Sequence, residues 1–168
     1  MPDDVTTDGV DPAPFWLPAN PPVTIVTAFD GEERSGCLVG FASQCSIGPP
    51  RVIMWLSKAN HTFGVAEGAD HLAVHLIPSD QLELARLFAE QSGDWTDKFA
   101  RCDWTEGPAG AALLSDCPDR LVGRVLERVD AGTDHVGHVL EPILVESSDS
   151  DAVLHLRDVD ELHAGHDA

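Results

Sequence analysis

The chain has 168 residues, 43% of them hydrophobic, which suits one domain with a sizeable core plus tails. Ten Lys and Arg face 29 Asp and Glu, and the formal charge of −19 argues against nucleic acid or an anionic membrane surface as partner. No apolar run approaches the ~18 residues of a membrane helix, and an N-terminus carrying Asp3 and Asp4 lacks a secretion signal's pattern, so a cytoplasmic protein is expected.

Residues 1–20 are rich in Asp, Thr and Pro around an apolar Phe15-Trp16-Leu17 knot, and read as a loose lead-in that docks on the body or on a partner subunit. Residues 21–147 form the domain, and 148–168 a short terminal strand and tail. "VTIVTAFDG" is β-branched and ends in the turn signal Asp30-Gly31. "SGCLVGFASQCSI" then reads as one returning strand, stopped by Pro49-Pro50. "RVIMWLS" is a third strand and "HLAVHLIPS" a fourth, with a short helix between them started near Asn60 or Thr62.

"SDQLELARLFAEQSGD" has the strongest helical pattern, with Leu84, Leu87, Phe88 and Gln91 on one face and Gly93 as a stop. "DKFARCDWTEGPAGAALLSDCP" reads as irregular. "RLVGRVLERVDAG" and "HVGHVLEPILVES" form a second strand pair, and "AVLHLRDV" a last short strand. Six or seven strands in adjacent runs with only two helices predict a mainly β fold, an antiparallel barrel with peripheral helices.

The cysteines (Cys37, Cys45, Cys102 and Cys117) show no C-x-x-C pair and are expected as buried free thiols. Two lysines exist, Lys58 and Lys98. An acidic chain that binds an anion must gather its few cations at the site. "SKANHT" offers a cation, an amide, an imidazole, two hydroxyls and the amides of a helix start, the parts of a phosphate cradle. A plain strand-to-helix connection with an N-cap explains the same residues. "GFASQCSIGPP" is small and neutral, and such a backbone can lie against a flat ligand. A glycine-relieved central strand with a proline stop explains it equally.

"SGCLVGFASQCSIGPPRVIMWLSKANHT", "DKF" and "DAGTDH", in that order, resemble the flavin reductase-like family, whose members carry G-M-T-A-N-S-F-T-S-V-S-L-D-P-P, a later D-K-F and a G-D-H. The resemblance spans roughly Pro22 to Val145. It implies an FMN-binding split barrel, FMN or FAD as cofactor, NAD(P)H as transient hydride donor, a homodimer and a monooxygenase partner. By match, Gly40, Phe41, Ala42, Ser43, Gln44, Cys45 and Ser46 would line the flavin ring and ribityl chain. Ser57, Lys58, Asn60, His61 and Thr62 would hold the phosphate, with Lys98 and Phe99 nearby, and His135 would stand beside flavin and nicotinamide.

Departures from the family pattern are marked. Leu38-Val39-Gly40-Phe41 replaces T-A-N-S, Gly48 replaces the Asp before Pro-Pro, and the G-D-H turn is lengthened by one residue. They leave two alternatives open: a flavin-binding protein without turnover, or a split barrel using a deazaflavin or haem. Ser-His-Asp chemistry and a dinucleotide domain are excluded by the lack of G-x-S-x-G and G-x-G-x-x-G. His71 and His75 share one strand face without a third metal ligand. His155, His163 and His166 read as surface residues, and the tryptophans as core or interface anchors, with Trp55 the exception to watch.

Overall fold

The computed structural model describes residues 9–90 and 96–162. The chain opens on a short helix, α1 (Ala13–Trp16), and then runs β1 (Thr24–Phe29), β2 (Arg34–Val39), β3 (Ala42–Ile47) and β4 (Pro50–Ser57). Next come α2 (His61–Gly68), β5 (His71–Leu76) and α3 (Leu82–Glu90). A small β6 (Trp104–Glu106) and β7 (Ala112–Leu114) precede the long pair β8 (Arg120–Asp130) and β9 (His135–Glu146).

Seven strands form one sheet in the order β2-β1-β5-β8-β9-β4-β3, every neighbouring pair antiparallel. The stretch expected as a single strand is therefore two. The chain bends at Gly40-Phe41 and sends its halves to opposite edges of the sheet. The sheet curls until β2 meets β4, the split barrel expected from the resemblance. Pro49 and Pro50 make a turn rather than a stop: Pro50 opens β4, opposite Ile47. Pro50 is tolerated because it is the first residue of β4 and lies outside the β4–β9 register, which begins at Val52.

β1 is buried along nearly its whole length because both its faces are covered. Val26 and Ala28 point into the barrel with Cys37, Val39, Met54, Leu56 and Leu140, where Val65 and Ala66 of α2 join them. Ile25 faces outward, under Leu84, Ala85, Leu87 and Phe88 of α3. Each large side chain so buried contributes roughly 1.5–3 kcal/mol. The sequence pattern of α3 follows from this single packed face.

Two further expectations need correction. The segment read as irregular carries the β6–β7 hairpin, held to the sheet where Thr27 Oγ1 donates to Ala112 O (2.7 Å) and the Leu114 amide donates to His75 Nε2 (3.1 Å). "AVLHLRDV" is not a strand; it makes isolated bridges, Pro22 with His155 and Pro78 with Val153, then a 3-10 turn at Leu156–Val159. Those bridges tie the segment to the start of the domain and to the end of β5, and Arg157 adds bonds to the lead-in, from its amide to Asn20 Oδ1 and from its guanidinium to Leu17 O, both 2.9 Å. The described part of the lead-in is thus pinned to the far end of the chain.

Cys37 and Cys117 are buried free thiols as expected and Cys102 is half-buried, but Cys45 is exposed on the edge strand β3. Among the described residues no helix is long and apolar enough to cross a membrane. Gln91, Gly93, Trp95, His163, His166 and the acidic pair Asp3 and Asp4 lie outside the described residues.

Candidate functional site

The bend between β2 and β3 opens on a groove of about 600 Å³. Gly40, Phe41, Ala42 and Ser43 form its floor, and Trp55, Trp16 and Leu156 its walls. A Cβ added at Gly40 would meet only Leu156 Cδ1, at 3.9 Å, so the floor is open to a ligand. The groove is aromatic and mostly apolar, with Asp11 its one charged lining residue, which suits an apolar ring.

Phe41 is 59% exposed and leans on the His135 imidazole, ring centroids 5.3 Å apart. The Phe41 carbonyl is fixed by the Trp55 amide at 3.0 Å. His135 begins β9 directly opposite Ser57, the last residue of β4. Its Nδ1 lies 2.9 Å from Asp134 Oδ1. A carboxylate only accepts, so Nδ1 carries the proton and Nε2 is the basic atom. The His135 bond also holds the Asp134 carboxyl below its ordinary range.

Beyond Asp134 the chain of contacts reaches the expected cradle, since the Lys58 amide donates to Asp134 O at 2.8 Å. The turn expected to expose backbone amides instead consumes them. Ala59 N–H goes to Ser57 Oγ, Asn60 N–H to Ser57 O, Thr62 N–H to Asn60 Oδ1, and Phe63 N–H to Asn60 O. Asn60 is the N-cap of α2, so its side chain serves the helix. The basic side chains are also engaged: Lys58 Nζ with Asp130 at 3.0 Å, and His61 Nε2 with Glu33 Oε1 at 2.6 Å. Lys58 and the Gly132 amide hold the Asp130 carboxyl low.

Three residues expected near a phosphate turn inward. The Thr62 hydroxyl is buried against Ser35 Oγ at 2.8 Å. Lys98 is 5% exposed, and its ammonium donates to Gly36 O (2.9 Å) and Phe88 O (3.2 Å). Burial pushes its pKa down, partly opposed by the neighbouring Cys37, whose own thiol burial drives up to about 11. Phe99 packs edge-on between Phe88 and Trp104. Lys98 and Phe99 line a separate polar cleft of about 470 Å³ with Glu33, Arg34, Ser35 and Trp104.

On β3, Gln44 Nε2 donates to Ser46 O at 3.1 Å, and Cys45 stands outward on the same exposed edge. The structure thus gathers Gly40 to Ser43, Ser57, Lys58 and His135 around one corner. Sequence reasoning missed the carboxylates that hold Lys58 and His61, Asp130 and Glu33, although both sit in recognised turns. It also missed the groove walls Trp16 and Leu156, which come from the two ends of the chain and leave no local signal.

A family model, the flavin reductase like domain, matches residues 19–161. The reductase subunit HsaB of a flavin-dependent monooxygenase from Rhodococcus jostii (strain RHA1) is 32% identical over 123 residues, 67% of this chain and 56% of that protein. Actinorhodin polyketide dimerase from Streptomyces coelicolor (strain ATCC BAA-471 / A3(2) / M145) is 31% identical over 118 residues, 68% of this chain and 63% of that protein. The match therefore spans less than two thirds of either relative. The solved NADH:FAD oxidoreductase SgcE6 of Streptomyces globisporus C-1027 superposes with a TM-score of 0.72 at 23% identity, covering 89% of this chain and 91% of that one. The agreement in fold, and a family match over most of the sequence, make this chain a member of the flavin reductase like domain family.

Proposed function

We propose that the chain binds a flavin, FMN in the first instance, with the ring in the groove over Gly40 to Ser43 and the phosphate end toward Ser57, Lys58, Asn60 and His61. The observation that carries this is the unbroken path from an aromatic-walled groove, through Phe41, His135 and Asp134, to Lys58. The bound flavin supplies the electron-accepting ring for a hydride from NAD(P)H. FAD would enter the same groove with its added nucleotide outside it.

The protein's own residues align and shield. Small side chains at Gly40, Ala42 and Ser43 let the backbone approach a flat ring, while Phe41, Trp16 and Trp55 exclude water from its edges. His135, oriented by Asp134, presents Nε2 as the group that can hold or release a proton beside the ring. The relatives named as reductase subunits support a reading in which reduced flavin passes to a separate monooxygenase component. A homodimer fits the same reading, because β3 is an exposed edge whose Ile47 is 88% exposed.

The test is the visible spectrum of the purified protein with FMN, followed anaerobically after NADH or NADPH is added. Bleaching of the flavin band faster than in protein-free solution supports the reductase. Flavin that binds without faster bleaching would favour a binding protein, and the absence of any binding would remove the reading.

A further inference from the structure

The Lys58 ammonium and the His61 imidazole of the cradle are already held by carboxylates, and those carboxylates are themselves anchored. Asp130 meets Lys58 Nζ through both oxygens at 3.0 Å, and its Oδ1 also accepts the Gly132 amide at 2.8 Å. Glu33, paired with His61, is fixed through its own amide to Asp30 Oδ1 at 2.8 Å. The amides of Lys58, Ala59, Asn60, Thr62 and Phe63 have internal acceptors. An arriving phosphate must compete with Asp130 and Glu33 for these side chains, and stand beside them and Asp134 in a chain of charge −19. The ring groove carries no such conflict.

We propose that Asp130 and Glu33 are specificity determinants that cancel the contribution of the phosphate, so that the chain selects flavins by their ring. Riboflavin, FMN and FAD are then taken with similar affinity, and flavin is exchanged as a substrate rather than kept as a fixed prosthetic group. This rests on the groove being the flavin site.

Titrations of riboflavin and FMN by flavin fluorescence, on the wild type, Asp130→Asn and Glu33→Gln, test it. The wild type is expected to bind the two ligands within about threefold of each other, because phosphate gains little where its cations are already paired. Asp130→Asn keeps an acceptor for the Gly132 amide but frees Lys58, and should tighten FMN about tenfold while riboflavin moves less than about twofold. Glu33→Gln should act in the same direction. A wild type that prefers FMN about a hundredfold, or an Asp130→Asn protein of unchanged melting temperature that binds FMN more weakly, would overturn the proposal and leave the flavin site standing. No binding of either riboflavin or FMN to any folded variant would overturn both.

Discussion

The Phe41 ring and the His135 imidazole lie 5.3 Å apart, centroid to centroid, at an interplanar angle of 58°. One comes from the bend between the two halves of an expected single strand, the other from the start of β9. Their contact joins the groove to the polar turn. Removing the ring should therefore be felt by a flavin and hardly by the fold. Phe41→Ala is expected to weaken riboflavin about five- to tenfold, the loss of roughly 1 kcal/mol of stacking. Thermal melts should move by less than about 2 °C, as for other exposed positions. Tighter riboflavin binding would show that Phe41 crowds the ring instead of stacking on it.

Lys58 and Asp130 should behave as a coupled pair. In the wild type, Lys58→Ala should cost FMN less than about 1 kcal/mol, since the ammonium is engaged elsewhere. In the Asp130→Asn background the same substitution should cost about 1–3 kcal/mol. A double-mutant cycle read by FMN titration gives the difference directly. Equal costs in both backgrounds would mean that the two residues act independently.

Lys98 makes the opposite case. Its ammonium ties β2 to the end of α3 through Gly36 O and Phe88 O. Lys98→Met leaves those carbonyls without their donor and should lower unfolding stability by about 1.5–3 kcal/mol. Riboflavin affinity should stay within about twofold, as expected of a distant site. Urea unfolding and ligand titration on the same variant separate the two effects, and a loss of affinity at full stability would return Lys98 to the site.

His75 predicts the acid limb of stability. It is buried with Nδ1 donating to Ile25 O at 3.0 Å and Nε2 accepting the Leu114 amide, an arrangement that only the neutral imidazole can make. Burial pushes its pKa down to about 4 from the ordinary 6.5. The unfolded chain therefore takes the proton first as acid is added. Stability from this group is complete above about pH 6.5 and is lost as the pH falls toward 4, by about 3 kcal/mol. His138, also pushed down by burial, adds to the same limb. Urea midpoints between pH 7 and 4.5 should fall for the wild type and fall less steeply for His75→Gln.

Helix α3, the β1–β2 hairpin and the long pair β8–β9 were legible because each is dictated locally, by a 3.6-residue apolar period or by turn residues such as Asp30-Gly31. The split of the second strand was not. Nothing in "SGCLVGFASQCSI" says that its halves belong to opposite edges, since only closure of the whole sheet decides that. Small, neutral residues did point to a ligand-sized corner at Gly40. The charges around Lys58 were invisible for a different reason. A count of 29 acids does not say which of them will stand beside Lys58 and His61, and Asp130 arrives there only through the turn of a distant hairpin.

The bend at Gly40-Phe41 also bears on how the molecule holds together. In space β2 and β3 are the two free margins of a seven-stranded sheet, yet only two residues separate them along the chain. A molecule resting on those two residues sits on the seam of the cylinder and bridges both margins at once. Its binding free energy then adds to closure by mass action. Hydrogen exchange at both rims should slow together when the groove is filled, so the ligand acts as a fastener of the wall against which it lies.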